Sequence, residues 1–423
     1  MKKYVLTDGR PYGIEQNHDV VERFDFGPYG GALVETFGEV DRENVVDVEG
    51  EMEFHTRVAD VSFDSEKPTA TIKDVRELQD VPMEGATGKG VHVVVMDSGV
   101  DDSHSVFEDV EVRHVDVTGT GTGDAVGHGT ASAGQVARLA PDVTITSLTI
   151  FPDEQRTSMR YLYRAYQWLF QHTEQVDVVN MSWGSGQQSR TIDRLQNLLV
   201  KRGVRDTTAA GNSGGRGGSP ATAERAFAIG ACTESGEMAS FSSYNPEENP
   251  EVVALGEQTR LARASGTSLG EPVSEKWTVA SGTSFAAPAL AGMAARYLER
   301  NPDAKPATVS DDFVANARNI EGTPRDRHGI ADYAKTVGQI GGGGSGDGSG
   351  DESGSDGGSD GGSDGGSGGG DGSSDGGNGG GDGSETRPDR GDQQSDEAFC
   401  GWCKPDQGVH CPCCPEFEEP FLS

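Results

Sequence analysis

The chain has little cysteine where a disulfide-built fold would need it: of six cysteines, only Cys232 precedes residue 400. That scarcity excludes a disulfide framework from most of its length. Positive charge is also scarce, with 35 Lys and Arg against 69 Asp and Glu and a formal net charge of −34. About −12 of this lies between Gly341 and Ala398 and about −3 beyond, which leaves about −19 on residues 1–340. Such a sign disfavours sequence-independent binding to nucleic-acid phosphates. It also keeps a protein hydrated at high salt, and a halophilic source is the expectation it raises. No apolar run approaches the length of a membrane span. The opening MKKYVLTDGRPYG is basic but lacks the apolar stretch of a secretory signal, so a cytoplasmic location is expected over a secreted one.

What is present separates into four segments. Residues 1–65 read as a small α+β unit, with strands in KYVLTD, GGALVETF and EMEFHTRV and short helices in HDVVERF and RENVVDV. From 66 to 340, Val- and Ile-rich runs such as GVHVVVMDSG, VTITSLTI, VDVVNMSWG and RAFAIGA alternate with helical stretches. Continuous apolar runs of that length suit parallel strands buried on both faces. The alternation predicts an α/β fold with a doubly wound, mostly parallel sheet, whose site lies beyond the carboxyl ends of the strands. Residues 341–398 are Gly, Ser and Asp with almost nothing apolar, and a disordered tether spanning roughly 40 Å is expected of them. Residues 399–423 form a Cys-rich module.

Within the second segment, SGTSFAAPALAG puts Ser284 at the start of an Ala-rich helix. A hydroxyl there ordinarily caps the first turn. The same place suits a nucleophile, because free N–H groups and the helix dipole favour developing negative charge. A serine nucleophile needs a base, and the base needs an orienting acid. VVVMDSGV ends an apolar strand on Asp97, VGHGTASAG sets His128 between glycines, and TTAAGNSGG places Asn212 in a glycine-rich loop after another strand. A turn aspartate, an ordinary histidine and an Asn-Gly turn are the plain readings of each alone.

Taken together, DSG, HGT, AAGN and GTSFAAP in that order resemble the subtilisin-like serine proteases, the subtilases. The resemblance covers about residues 75–335. It implies a subtilisin-type fold and hydrolysis of polypeptides, with Ser284 as nucleophile, His128 as general base and Asp97 as its orienting partner. Asn212 and the Ser284 N–H would form the oxyanion hole. By the same resemblance Ser182, Trp183 and Gly184 in NMSWGS, with Gly211, would bind the substrate backbone, and Ser219–Pro220 falls where a cis proline is frequent. Trp183 also reads as a core aromatic. The first 65 residues resemble an inhibitory propeptide of split β-α-β form, the alternative being a structural extension. A competing reading makes the chain a peptide-binding scaffold whose Cys-rich tail carries the main role.

The pattern is not complete. Phe285 follows the nucleophile where methionine is frequent, and the second strand expected to flank the substrate, near FPDEQRTS, is not recognisable. GQVARLAPDV runs on from His128 without the insertion that holds the family's strongest calcium loop. No cofactor is expected for catalysis. Cys400, Cys403, Cys411 and Cys414 form C-x2-C-x7-C-x2-C, which suits structural zinc, with disulfides or free thiols as alternatives.

Overall fold

The computed structural model describes residues 1–9, 18–36, 40, 44–56, 58–66, 69–152, 155–244, 250–319 and 328–338. They belong to one unit, Met1–Gly348. The expected tether and the cysteine cluster lie outside the described residues.

Strands β1 (Lys2–Asp8), β2 (Asp19–Asp25), β3 (Tyr29–Glu35) and β4 (Val45–Gly50) form an antiparallel sheet ordered β2-β3-β1-β4. Two expectations are corrected here. HDVVERF and the VVDV of RENVVDV are strands and not helices. Local propensity reads their apolar pairs as helical, but pairing with β3 and β1 is what satisfies their backbone groups. A short strand, β5 (Glu53–His55), follows, then helix α1 (Ile72–Leu78).

The main body runs β6 (His92–Asp97), β7 (Glu111–Asp116), α2 (His128–Leu139), β8 (Thr144–Thr149), β9 (Arg156–Ser158) and α3 (Met159–Gln171). It continues with β10 (Val178–Met181), α4 (Arg190–Lys201), β11 (Arg205–Ala209), β12 (Ala228–Cys232), β13 (Val252–Leu255) and β14 (Thr259–Ala262). The last elements are β15 (Glu271–Pro272), β16 (Trp277–Ala280), α5 (Thr283–Arg300), α6 (Pro306–Asn316) and α7 (Tyr333–Gly338). Seven strands make the parallel sheet β13-β12-β11-β10-β6-β8-β7. Its order reverses at β6, which opens a crevice at that strand's carboxyl end.

Alternate residues of β6 feed the two faces. Val93 and Val95 pack with α2 and α5, while Val94 and Met96 pack with α3 and α4. Helix α5 is buried from Thr283 to Leu298, and only small side chains let it lie so close to the sheet. That accounts for its alanines. Tyr4, Phe24, Phe26 and Leu33 of the N-terminal sheet share the α3–α4 core, with Phe24 and Phe26 edge-on to Tyr163. Acidic residues of the same sheet meet the helices: Glu22 pairs with Arg160 and Arg164, and Asp47 with Arg190 and Arg194. Glu49 accepts from Ser189 Oγ and the Arg190 N–H at the α4 N-terminus, where the dipole favours an anion. No helix among the described residues is long and apolar enough to cross a membrane.

Candidate active site

Asp97 is the last residue of β6 and His128 the first of α2, and both are fully buried. His128 Nδ1 lies 2.9 Å from Asp97 Oδ1 and 3.0 Å from Oδ2. A carboxylate only accepts, so Nδ1 carries the proton and Nε2 keeps a free lone pair. Nε2 is buried with no hydrogen-bond partner. An imidazole held in this way can take a proton at Nε2. Asp97 is fixed in turn by the Ser98 N–H at 2.8 Å and Ser132 Oγ at 3.3 Å.

The glycines beside His128 are required by close approach. Gly127 sits at φ +89, and a Cβ there would lie 2.6 Å from Thr267 Oγ1. A Cβ on Gly129 would lie 2.0 Å from the Gly99 carbonyl oxygen. Neither position admits a side chain. Asp124 closes the same corner. Its carboxylate accepts from Ser98 Oγ, from the Val126, Gly127 and Thr130 amides, and from Thr130 Oγ1. Burial pushes its pKa up against those hydrogen bonds. Asp124 thus joins the end of β6 to the start of α2, and four residues before the histidine it carried no signal in the sequence.

Ser284 lies in the first turn of α5, two residues after its N-cap Gly282, and is 2% exposed. Its Oγ donates to the Ser182 carbonyl at 3.0 Å. Phe285 packs against the His128 ring at 5.6 Å. Asn212 Oδ1 accepts from the Thr283 N–H and Thr283 Oγ1, both at 2.9 Å. Because the oxygen is so engaged, the amide NH2 is directed away from Thr283. Thr283 Oγ1 also accepts from the Gly211 N–H at 3.1 Å. Gly211 has φ +109. Thr283 sits inside the SGTS motif but was not singled out by sequence. The Ser219–Pro220 bond is cis.

The chain's own segment lies beside the remaining expected residues. His55 and Gly184 exchange backbone hydrogen bonds of 2.9 and 3.1 Å. On its other edge β5 pairs antiparallel with β9, Phe54 opposite Thr157. β9 is the flanking strand that sequence did not resolve, because three residues carry no periodicity. Phe54 stands edge-on to Trp183 with ring centroids 5.8 Å apart, so Trp183 is a buried aromatic that packs against β5. Thr56 N–H donates to the Gln155 carbonyl, and Ala59 N–H donates to the Ser281 carbonyl at 2.7 Å. His55 therefore lies beside Gly184, and Ala59 beside Ser281. Among the described residues no group of three or more His, Cys, Asp or Glu could hold a metal ion.

Comparison with known proteins places the chain in a family. Residues 88–351 match the model of the Subtilase family. Subtilisin NAT of Bacillus subtilis subsp. natto is 30% identical over 252 residues, 55% of this chain, and the match spans 62% of that protein's length. Alkaline elastase YaB of Bacillus sp. (strain YaB) is 27% identical over 347 residues, 77% of this chain and 85% of its own. Among solved structures, fervidolysin from Fervidobacterium pennivorans superposes with a TM-score of 0.64 at 18% identity, covering 80% of this chain and 61% of that one. The shared architecture is the subtilisin-like one, and the chain belongs to the subtilase family.

Proposed function

We propose that this chain is a serine endopeptidase whose N-terminal unit inhibits it until the chain cuts itself. The observation that carries the reading is the buried Asp97–His128 pair with its unpartnered Nε2, packed on Phe285, the residue after Ser284 at the start of α5. Rotation about the Ser284 Cα–Cβ bond brings Oγ from Ser182 toward that nitrogen. Oγ then attacks the peptide carbonyl while His128 takes its proton, and Asp97 stabilises the imidazolium. The Asn212 amide and the Ser284 N–H receive the oxyanion; a side-chain donor of this kind is worth about 2.7–4 kcal/mol, a magnitude established on subtilisin itself. His128 returns the proton to the leaving amine as the C–N bond breaks, and water releases the acyl group.

Residues 53–59 support self-processing. His55 is held beside Gly184 and Ala59 beside Ser281, three residues before the nucleophile, while the Ser182 carbonyl holds Ser284 Oγ. We assign the reacting carbonyl to Arg57, which itself lies outside the described residues. The cut then falls before Val58.

A serine-directed fluorophosphonate, tested in dilute and multimolar salt, should label the processed protein. N-terminal sequencing should read from Val58, and casein should be degraded. Ser284→Ala should stay full-length, unlabelled and inactive. Comparable casein cleavage by Ser284→Ala would sink the assignment, while wild type unlabelled in all conditions would favour the peptide-binding scaffold.

A further inference from the structure

The segment after the cut is also held in the cleft, by groups that do not involve the N-terminal sheet. Ala59 N–H donates to the Ser281 carbonyl, three residues before the nucleophile. Val58 packs on the cluster of Phe285, Ala280 and Leu269. Asp64 N–H donates to the Gln258 side-chain Oε1 at 2.7 Å. Gln258 is buried, and at φ +44 it is one of two non-glycine residues among those described with positive φ. That conformation is uncommon for a residue with a Cβ. It is fixed from both sides, because the Gln258 N–H donates to Ser281 Oγ at 2.9 Å and its carbonyl accepts from the Ala70 N–H. Between Val61 and Phe63 above and Gly270, Val279 and Ala280 below lies a cavity of about 170 Å³.

We propose that residues 58–64, held by Ser281 and Gln258 on the leaving-group side of the cleft, form a second inhibitory strap that outlasts the first cut. The strap bends at Asp60, where the Val61 N–H donates to the Ala59 carbonyl, and Gln258 is its latch. Hydrolysis before Val58 breaks the link to the first unit but none of these contacts. The paired backbone bonds at Ala70 keep the strap attached, so its effective concentration stays high after cleavage. Substrates must displace it, or a second cut must remove it. The inference rests on the serine endopeptidase reading.

Time-resolved activation of the full chain tests it, with cleavage followed by intact mass and activity by a dye-releasing peptide in the same samples. Wild type should lose residues 1–57 first and gain activity after a lag. Gln258→Gly removes the latch yet accepts positive φ, so the loop keeps its shape. Counted from the first cut, its lag should be about fivefold shorter than in wild type, the equilibrium worth of one ordinary hydrogen bond. Gln258→Ala should shorten the lag in the same direction. Activity rising in step with the first cut in wild type, or an unchanged lag in Gln258→Gly, overturns the strap while leaving the peptidase reading intact. A wild-type chain that never cuts overturns both.

Discussion

Ser182 and Ser284 hold each other twice. Ser284 Oγ donates to the Ser182 carbonyl at 3.0 Å, and Ser182 Oγ donates to the Ser284 carbonyl at 2.8 Å. The second bond is needed because position 288, four residues on in α5, is a proline without an N–H. Ser182 supplies the donor that the helix cannot. The exchange ties the segment beside Gly184 to the segment that presents the nucleophile.

Ser182→Ala should therefore leave a buried carbonyl unsatisfied and cost about 1–3 kcal/mol of stability. Urea midpoints measured in the Ser284→Ala background, where no cut intervenes, would show it. An unchanged midpoint would mean that the Ser284 carbonyl finds another donor.

Thr283 touches no reacting atom in the proposed mechanism, yet it holds Asn212 through Oδ1. Thr283→Val keeps the backbone bond and loses the hydroxyl. The expected result is a roughly tenfold fall in kcat at nearly constant KM, smaller than the 10²–10³ expected for Asn212→Ala. A rise in KM alone would place Thr283 in ground-state binding.

Phe54 anchors β5 through its edge-on contact with Trp183. In the Ser284→Ala chain, Phe54→Ala should raise amide exchange at His55 and Gly184 at least tenfold by local opening. Exchange in β1 and β3 should hardly change. Loss of protection across the whole N-terminal sheet would show that the strand and the sheet open as one.

His92 gives a pH signature. Burial holds its imidazole below the ordinary 6.5, against the opposing effect of the Gln175 carbonyl, and its nitrogens lie 2.7 Å from that carbonyl and from Thr146 Oγ1. The unfolded chain binds this proton first as pH falls below about 6.5, so the folded state loses stability down to the lowered pKa. Thermal midpoints should decline across that window, and less steeply in His92→Gln. Parallel slopes for the two proteins would exclude the histidine as the cause.

The sequence by itself determined the core of the fold and the residues of the candidate site. Four short motifs placed Asp97, His128, Asn212 and Ser284, because each needs small neighbours that leave a local mark: glycines at 127 and 129, alanines along α5. The Val-rich strands were legible because burial on both faces leaves no alternation to confuse. Tertiary structure decided what depends on partners distant in the chain. The apolar pairs of β2 and β4 became strands only by pairing with β3 and β1. β9 exists as a strand only because β5 lies against it. Asp124, Thr283 and Gln258 act through hydrogen bonds to residues whose proximity follows from the fold, and a single hydroxyl, amide or carboxylate in a loop has no period to reveal it.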